Sequence, residues 1–298
     1  MPGETLIQPD IQFTTNPNVA SDVCIVLNHL PYDTKVITNR KNIWRWDLES
    51  SGVGNPAISK VFTKIFSNYE SGARVLKAPP VLNWWVDKTF DELYAMQPLS
   101  KSRMISCIAS SKSGGTHLSR FNFVAHLERT NLGIDIFGRG RTKELENKWE
   151  GLKDYRFTVA IENRSKDDYW TEKLADALLS YCVPFYWGAP NVTKYFPQES
   201  FIWLPVEDPI SAEEIIRRES TIENYQRRLP AVIEARSIIL ERYSLWAQIR
   251  DAIRREGIAA DKTSRRLITL PGLNGRRNLP GSPARAVKAS LARLRLHC

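Results

Sequence analysis

At 298 residues, with 42% hydrophobic and 25% charged side chains, the chain has a globular composition and enough length for one or two buried cores. No run approaches ~20 uninterrupted apolar residues, which excludes a transmembrane helix. The formal charge of +9 is uneven: residues 262–298 hold nine basic side chains and no acid, and the first 261 residues balance at 33 of each sign, so attraction to polyanions belongs to the tail.

Residues 1–20 read as an extended lead-in with Pro2, Pro9 and Pro17, and no basic region followed by an apolar run marks a secretory leader. The run 22–28 predicts a first strand, followed by strands at 35–38 and 42–47. Turn signals at Gly52, Gly54, Asn55 and Pro56 precede a helical reading of 57–65. These elements predict an α/β domain over 1–98.

A second α/β domain is expected over 99–257. Met104 to Ala109 predicts a buried strand, and Ser110 to Gly115 a polar turn. The turn opens a helix with Leu118, Phe121, Val124, Ala125 and Leu127 inward. A strand at 132–137 ends in Gly138-Arg139-Gly140, a weak phosphate-loop signal. Tyr155 to Ile161 is β-branched and aromatic and predicts a strand. A polar loop follows, with Asp168 or Thr171 placed to cap a helix from Thr171 to about Tyr181. Cys182 to Trp187 gives the next strand, broken by Gly188. Ser211 and Glu214 form a capping-box pattern opening a helical region to about Glu256, with a break expected at Pro230. Alternating strands and helices imply a parallel sheet, with ligands at strand carboxyl ends and helix N-termini.

Four stretches recur in a telling order: Ile161-Glu162-Asn163, Tyr169-Trp170-Thr171-Glu172-Lys173, Val183-Pro184-Phe185-Tyr186-Trp187-Gly188 and Ser200-Phe201-Ile202. This order and spacing resemble the C-terminal donor-binding domain of glycosyltransferase family 10, the α-1,3-fucosyltransferases. The resemblance is strong over about fifty residues and weaker back to Met104. It departs at Ile161, where the family usually has Phe, and at Arg164, where a small residue is common.

The resemblance implies a GT-B type α/β fold, two Rossmann-like domains facing across a cleft, followed by a basic C-terminal tail. It implies an inverting transfer of fucose from GDP-fucose to a glycan hydroxyl, or of another GDP-sugar on the same scaffold. Carried over by motif, Lys173 is a phosphate ligand and Glu172 a ribose ligand, while Asn163 and Tyr169 line the donor site. Arg120 is expected to clamp the diphosphate, and Ser110 to hydrogen-bond it. A leaving diphosphate needs positive charge, and the acceptor hydroxyl needs a base. Glu49 fits the family's place for that base, with Asp47 and Glu70 as rivals.

The scattered His29, His117, His126 and His297 lack metal-ligand spacing, so no protein-built metal site is expected, and a divalent cation is at most stimulatory. Cys24, Cys107 and Cys182 sit in apolar runs and read as buried thiols. Residues 258–298 read as a loosely ordered tail. A helix over 284–296 would set Val287, Leu291 and Leu294 opposite Arg285, Lys288, Arg293 and Arg295, an interfacial pattern suited to anionic lipid; the alternative is a solvated basic tail. A cytoplasmic enzyme, peripheral on the inner face of a bacterial membrane and acting on a lipid-linked glycan, fits these features. A nucleic-acid-binding role is disfavoured by the neutral remainder and by missing RNA-binding motifs.

Overall fold

The computed structural model describes residues 11–14, 16, 18–47, 60–67, 72–77, 84–111, 114, 118–141, 143–272 and 291–296. Its strands are β1 Ile11–Thr14, β2 Val23–Leu27, β3 Thr34–Asn39, β4 Ile43–Trp46, β5 Lys64–Ser67 and β6 Val75–Lys77. They continue with β7 Arg103–Ile108, β8 Asp135–Phe137, β9 Tyr155–Ile161, β10 Val183–Trp187, β11 Ile202–Trp203, β12 Arg265–Leu270 and β13 Leu291–Leu296. The chain forms two units, one of residues 1–81 with 245–298 and the other of residues 82–244.

In the first unit β2, β4, β5 and β6 run parallel, and β13 is inserted antiparallel between β2 and β1. Alternation along β2 sends Val23, Ile25 and Leu27 to one core and Cys24 and Val26 to the other. The first core is closed by Leu245, Ile249, Ala252 and Ile253, which share a face of the helix Leu245–Arg255. That apolar stripe is why this helix belongs with the first unit and not, as the sequence reading has it, with a 99–257 domain.

The tail is the larger correction. Residues 265–270 form β12, paired antiparallel with β3, and 291–296 form β13, so neither is loosely ordered in this fold. Strand pairing at 291–296 replaces the C-terminal half of the expected interfacial helix; residues 284–290 lie outside the described residues. Arg265 is also no free basic charge. Its guanidinium donates to both carboxylate oxygens of the buried Asp22, at 2.7 and 2.8 Å.

The second unit is a five-stranded parallel sheet in the order β11-β10-β9-β7-β8. Both faces of β9 and β10 are covered, and their near-continuous apolar runs reflect that burial. Such units are the building blocks of the GT-B architecture. Chain order reverses between β7 and β9, because β8 lies on one side of β7 and β9 on the other. Such a switch point opens a crevice at the strands' carboxyl ends.

Three local readings change. The helix Pro209–Glu219 is capped by Asp208, which accepts from the Ser211 N–H with proline at the first turn, so Ser211 is not the cap. Pro230 lies inside the unbroken helix Ile222–Ile238, held on either side by the buried Tyr225, Val232 and Ala235. In the helix Leu118–Leu127, Leu118 is 52% exposed, whereas Phe123, Val124, Leu127 and Arg120 are buried.

Candidate functional site

The carboxyl ends of β7 and β9 deliver the site. After β7 the chain passes Ser110 and enters the helix Leu118–Leu127, whose buried face carries Arg120 back toward the crevice. After β9 come Glu162 and Asn163. Arg120 Nη1 donates to Asn163 Oδ1 at 2.6 Å and Nη2 to Ser110 Oγ at 3.5 Å, so three expected donor-site residues meet across the switch point. Burial lowers the Arg120 pKa against the opposing pull of Cys107, Glu162 and Glu172.

Further along, the loop is anchored at Asp168 and Trp170. Trp170 is fully buried against the rings of Tyr195, Phe196 and Tyr243, at 5.6, 4.8 and 5.2 Å between centroids. Asp168, in the left-handed backbone region, exchanges hydrogen bonds with Asn191 and accepts from the Tyr195 hydroxyl. It is a clasp, and the helix cap of the two candidates is Thr171. The helix Glu172–Leu179 then starts with its first-turn N–H groups beside the crevice, and Tyr169 is packed inside the loop, 2% exposed.

Glu162 organises this turn, a role the motif reading did not assign. Fully buried, its carboxylate accepts from Thr171 N at 2.8 Å and Thr171 Oγ1 at 2.6 Å and lies 3.5 Å from Lys173 Nζ. Lys173 also reaches Glu172 Oε1 at 3.1 Å and Thr171 Oγ1 at 3.2 Å, and keeps 19% of its side chain exposed. Burial alone would lower its ammonium pKa, but Glu162 and Glu172 raise it above the usual lysine range. Lys173 is therefore a fixed cation at a helix start. Burial opposes ionisation of Glu172, yet Lys173 and Lys148 hold its carboxyl down at about 2, so it is an acceptor at neutral pH.

The other expected site residues divide. Just past the Gly138-Arg139-Gly140 turn, Arg141 donates to Ala109 O at 2.6 Å and pairs with Glu128. Gly138 is required by close approach, since a Cβ there would stand 2.1 Å from Ala109 O; the Gly-x-Gly turn packs against the loop after β7. Glu49 and Glu70 lie outside the described residues. Asp47, the remaining rival for the base, is buried and held by Arg45 at 2.8 and 3.1 Å. Among the described residues, no group of three or more His, Cys, Asp or Glu side chains is placed to hold a metal, and Cys24, Cys107 and Cys182 are buried. Burial pushes the Cys107 thiol up to about 12, which keeps it unreactive.

The unit is thus an α/β sheet with Arg120 and Lys173 placed about its switch point, the class of fold that holds nucleotide phosphates. Residues 98–227 match the family model of "Glycosyltransferase family 10 (fucosyltransferase) C-term". The chain is 43% identical over 58 residues to the alpha-(1,3)-fucosyltransferase FucT of Helicobacter pylori, covering 20% of this chain and 12% of that protein. It is 28% identical over 158 residues to the human 4-galactosyl-N-acetylglucosaminide 3-alpha-L-fucosyltransferase FUT6, covering 51% and 43%. With a fucosyltransferase-like protein of Arabidopsis thaliana the identity is 31% over 125 residues, covering 41% and 24%. The chain matches less than half the length of each of these relatives. Among solved structures, an alpha1,3-fucosyltransferase with GDP superposes with a TM-score of 0.46 at 20% identity, covering 78% of this chain and 81% of that one.

Proposed function

We propose that the chain is an inverting glycosyltransferase moving fucose from GDP-fucose to a hydroxyl of a glycan acceptor. The observation that carries this reading is the meeting of Arg120, Asn163 and Ser110 across the switch point, together with the helix start that fixes Lys173. The family match over 98–227 and the fucosyltransferase activities of the relatives support the donor class. In this reading Arg120 and Lys173 stabilise the departing diphosphate, Glu172 accepts from ribose hydroxyls, and Asn163 and Tyr169 border the donor. Glu49, by family resemblance, deprotonates the acceptor. Another GDP-sugar on the same scaffold is the competing reading, and a donor-hydrolysis screen separates the two.

Replacing Lys173 with Ala should weaken GDP binding by ~2–3 kcal/mol, the scale for a lost charged hydrogen bond, while Glu49→Gln should bind GDP normally but turn over ~100-fold more slowly. Calorimetry showing unchanged GDP affinity in folded Lys173→Ala would remove the nucleotide site. Normal turnover by Glu49→Gln would remove the base.

We also propose a position on the inner face of a bacterial membrane, resting on the charge of residues 262–298. A chain cut at Asp261 would lose β12 and β13, so the sound variant replaces Arg276, Arg277, Arg285 and Lys288 with Gln. Wild type should sediment with anionic vesicles at low salt and release at high salt, with the variant unbound. Equal sedimentation of both forms, or of neither, rules the location out.

A further inference from the structure

Lys148 belongs to no motif, and it stands in the short helical turn Lys148–Gly151 between β8 and β9. It lines a recess floored by Thr158 to Ile161 of β9, and the other ammonium on that recess is Lys173. Lys148 Nζ is 3.1 Å from Asp176 Oδ2, with the carboxylate 3% and the lysine 29% exposed. The other oxygen of Asp176 accepts the Trp85 backbone N–H at 2.8 Å. Asp176 is thus immobilised from both sides, and it holds the Lys148 ammonium at a set place on the recess wall. An ammonium has three N–H donors, and the contact with Asp176 uses one.

We propose that Lys148 is a second ammonium of the donor site, donating to the diphosphate oxygens of the bound nucleotide opposite Lys173. The inference rests on the nucleotide reading above. The chemistry favours it on two grounds. Glu162 and Glu172 already surround Lys173, so a lone lysine there is largely neutralised before an anion arrives. A diphosphate carries more negative charge than Arg120 and a carboxylate-flanked Lys173 offset together, and a further ammonium held at a set place on the recess adds to that charge. Lys148 is also tethered through Asp176 to the helix that carries Lys173, so both ammonium groups are referenced to one rigid element.

The competing role is structural, in which Lys148 only neutralises a buried carboxylate. The two roles separate on whether the phosphates matter. GDP and guanosine are titrated into wild type, Lys148→Met, Lys148→Arg and the double variant Lys148→Met with Asp176→Asn, whose buried charge is removed together with its partner. Loss of a charged hydrogen bond should weaken GDP about 10-fold or more in both Met variants, leave guanosine within about 2-fold, and be partly restored by Arg. Wild-type GDP affinity in the double variant, or equal losses for GDP and guanosine, would overturn the proposal and leave Lys148 a structural cation. Absence of GDP binding by wild type would instead sink the nucleotide reading, and this inference with it.

Discussion

Gly188→Ala should cost the fold ~3 kcal/mol or more, and GDP binding should fall with it. A Cβ at this position would stand 2.2 Å from the Tyr186 hydroxyl, 2.7 Å from Tyr186 Cζ and 2.5 Å from Glu162 Cγ. Contacts between non-bonded carbons settle near 3.5–4.0 Å, so the neighbours would have to move by about an ångström. Neither is free to. The Tyr186 ring is fully buried and its hydroxyl accepts the Ala189 N–H at 2.9 Å; Glu162 is fully buried and bound to Thr171. Overpacking such a place costs ~1–3 kcal/mol in tolerant cores and more where the displaced group has partners to lose. The displaced group here is the carboxylate that positions Thr171 and Lys173, which links the stability loss to the site. Gly114→Ala is the control, since a Cβ there meets nothing within 4 Å, and it should stay within ~0.5 kcal/mol. A urea midpoint for Gly188→Ala equal to that of the control would show that the turn after β10 has slack, contrary to the packing.

This glycine also shows why part of the site was legible in the chain. The ordered stretches around Glu162, Thr171 and Gly188 are separate in sequence, yet each supplies a part that the others need: an acid, its donors, and a gap beside it. Their order therefore carried more information than any one of them. The strands flanking them were legible for a simpler reason, because a parallel sheet buried on both faces writes unbroken apolar runs. What stayed hidden has no such local signature. Strand β12 buries only Leu270 of its six residues, in a two-stranded ribbon, so its Arg-Arg start reads as solvated tail. Lys148 meets Asp176 from 28 residues away, and a single lysine in Lys-Trp-Glu-Gly announces nothing. The helix Leu245–Arg255 has a clear apolar stripe, but periodicity says that a face is buried without saying against which unit. Glu162 stands in a motif without a role legible in the chain, because only the fold reveals that the strand end carrying it is fully buried.

Glu162→Ala should destabilise the protein by ~3–5 kcal/mol, the range for removing one partner of a buried, hydrogen-bonded charge pair. The deletion leaves the Thr171 N–H and hydroxyl without their Glu162 acceptor and leaves Lys173 beside Glu172 Oε1 at 3.1 Å. Glu162→Gln should lose less, since an amide oxygen can still accept from Thr171 N while the charge attraction is gone. The pH dependence gives the sharper check. Burial raises the Glu162 pKa above 4.5, against the pull of Lys173 and Thr171. A raised carboxyl binds its proton more tightly folded than unfolded, so its titration favours the fold fully below pH 4.5, and that share is lost as pH rises through the folded value. The stability gap between wild type and Glu162→Ala should accordingly be widest at pH 4.5 and below and narrow as pH rises through the folded value, with titrations common to both proteins cancelling in the difference. Unfolding curves at several pH values measure it directly. A gap that widens as pH rises would mean that Lys173 and Thr171 outweigh burial, and that Glu162 is held as a carboxylate more firmly in the fold than in water.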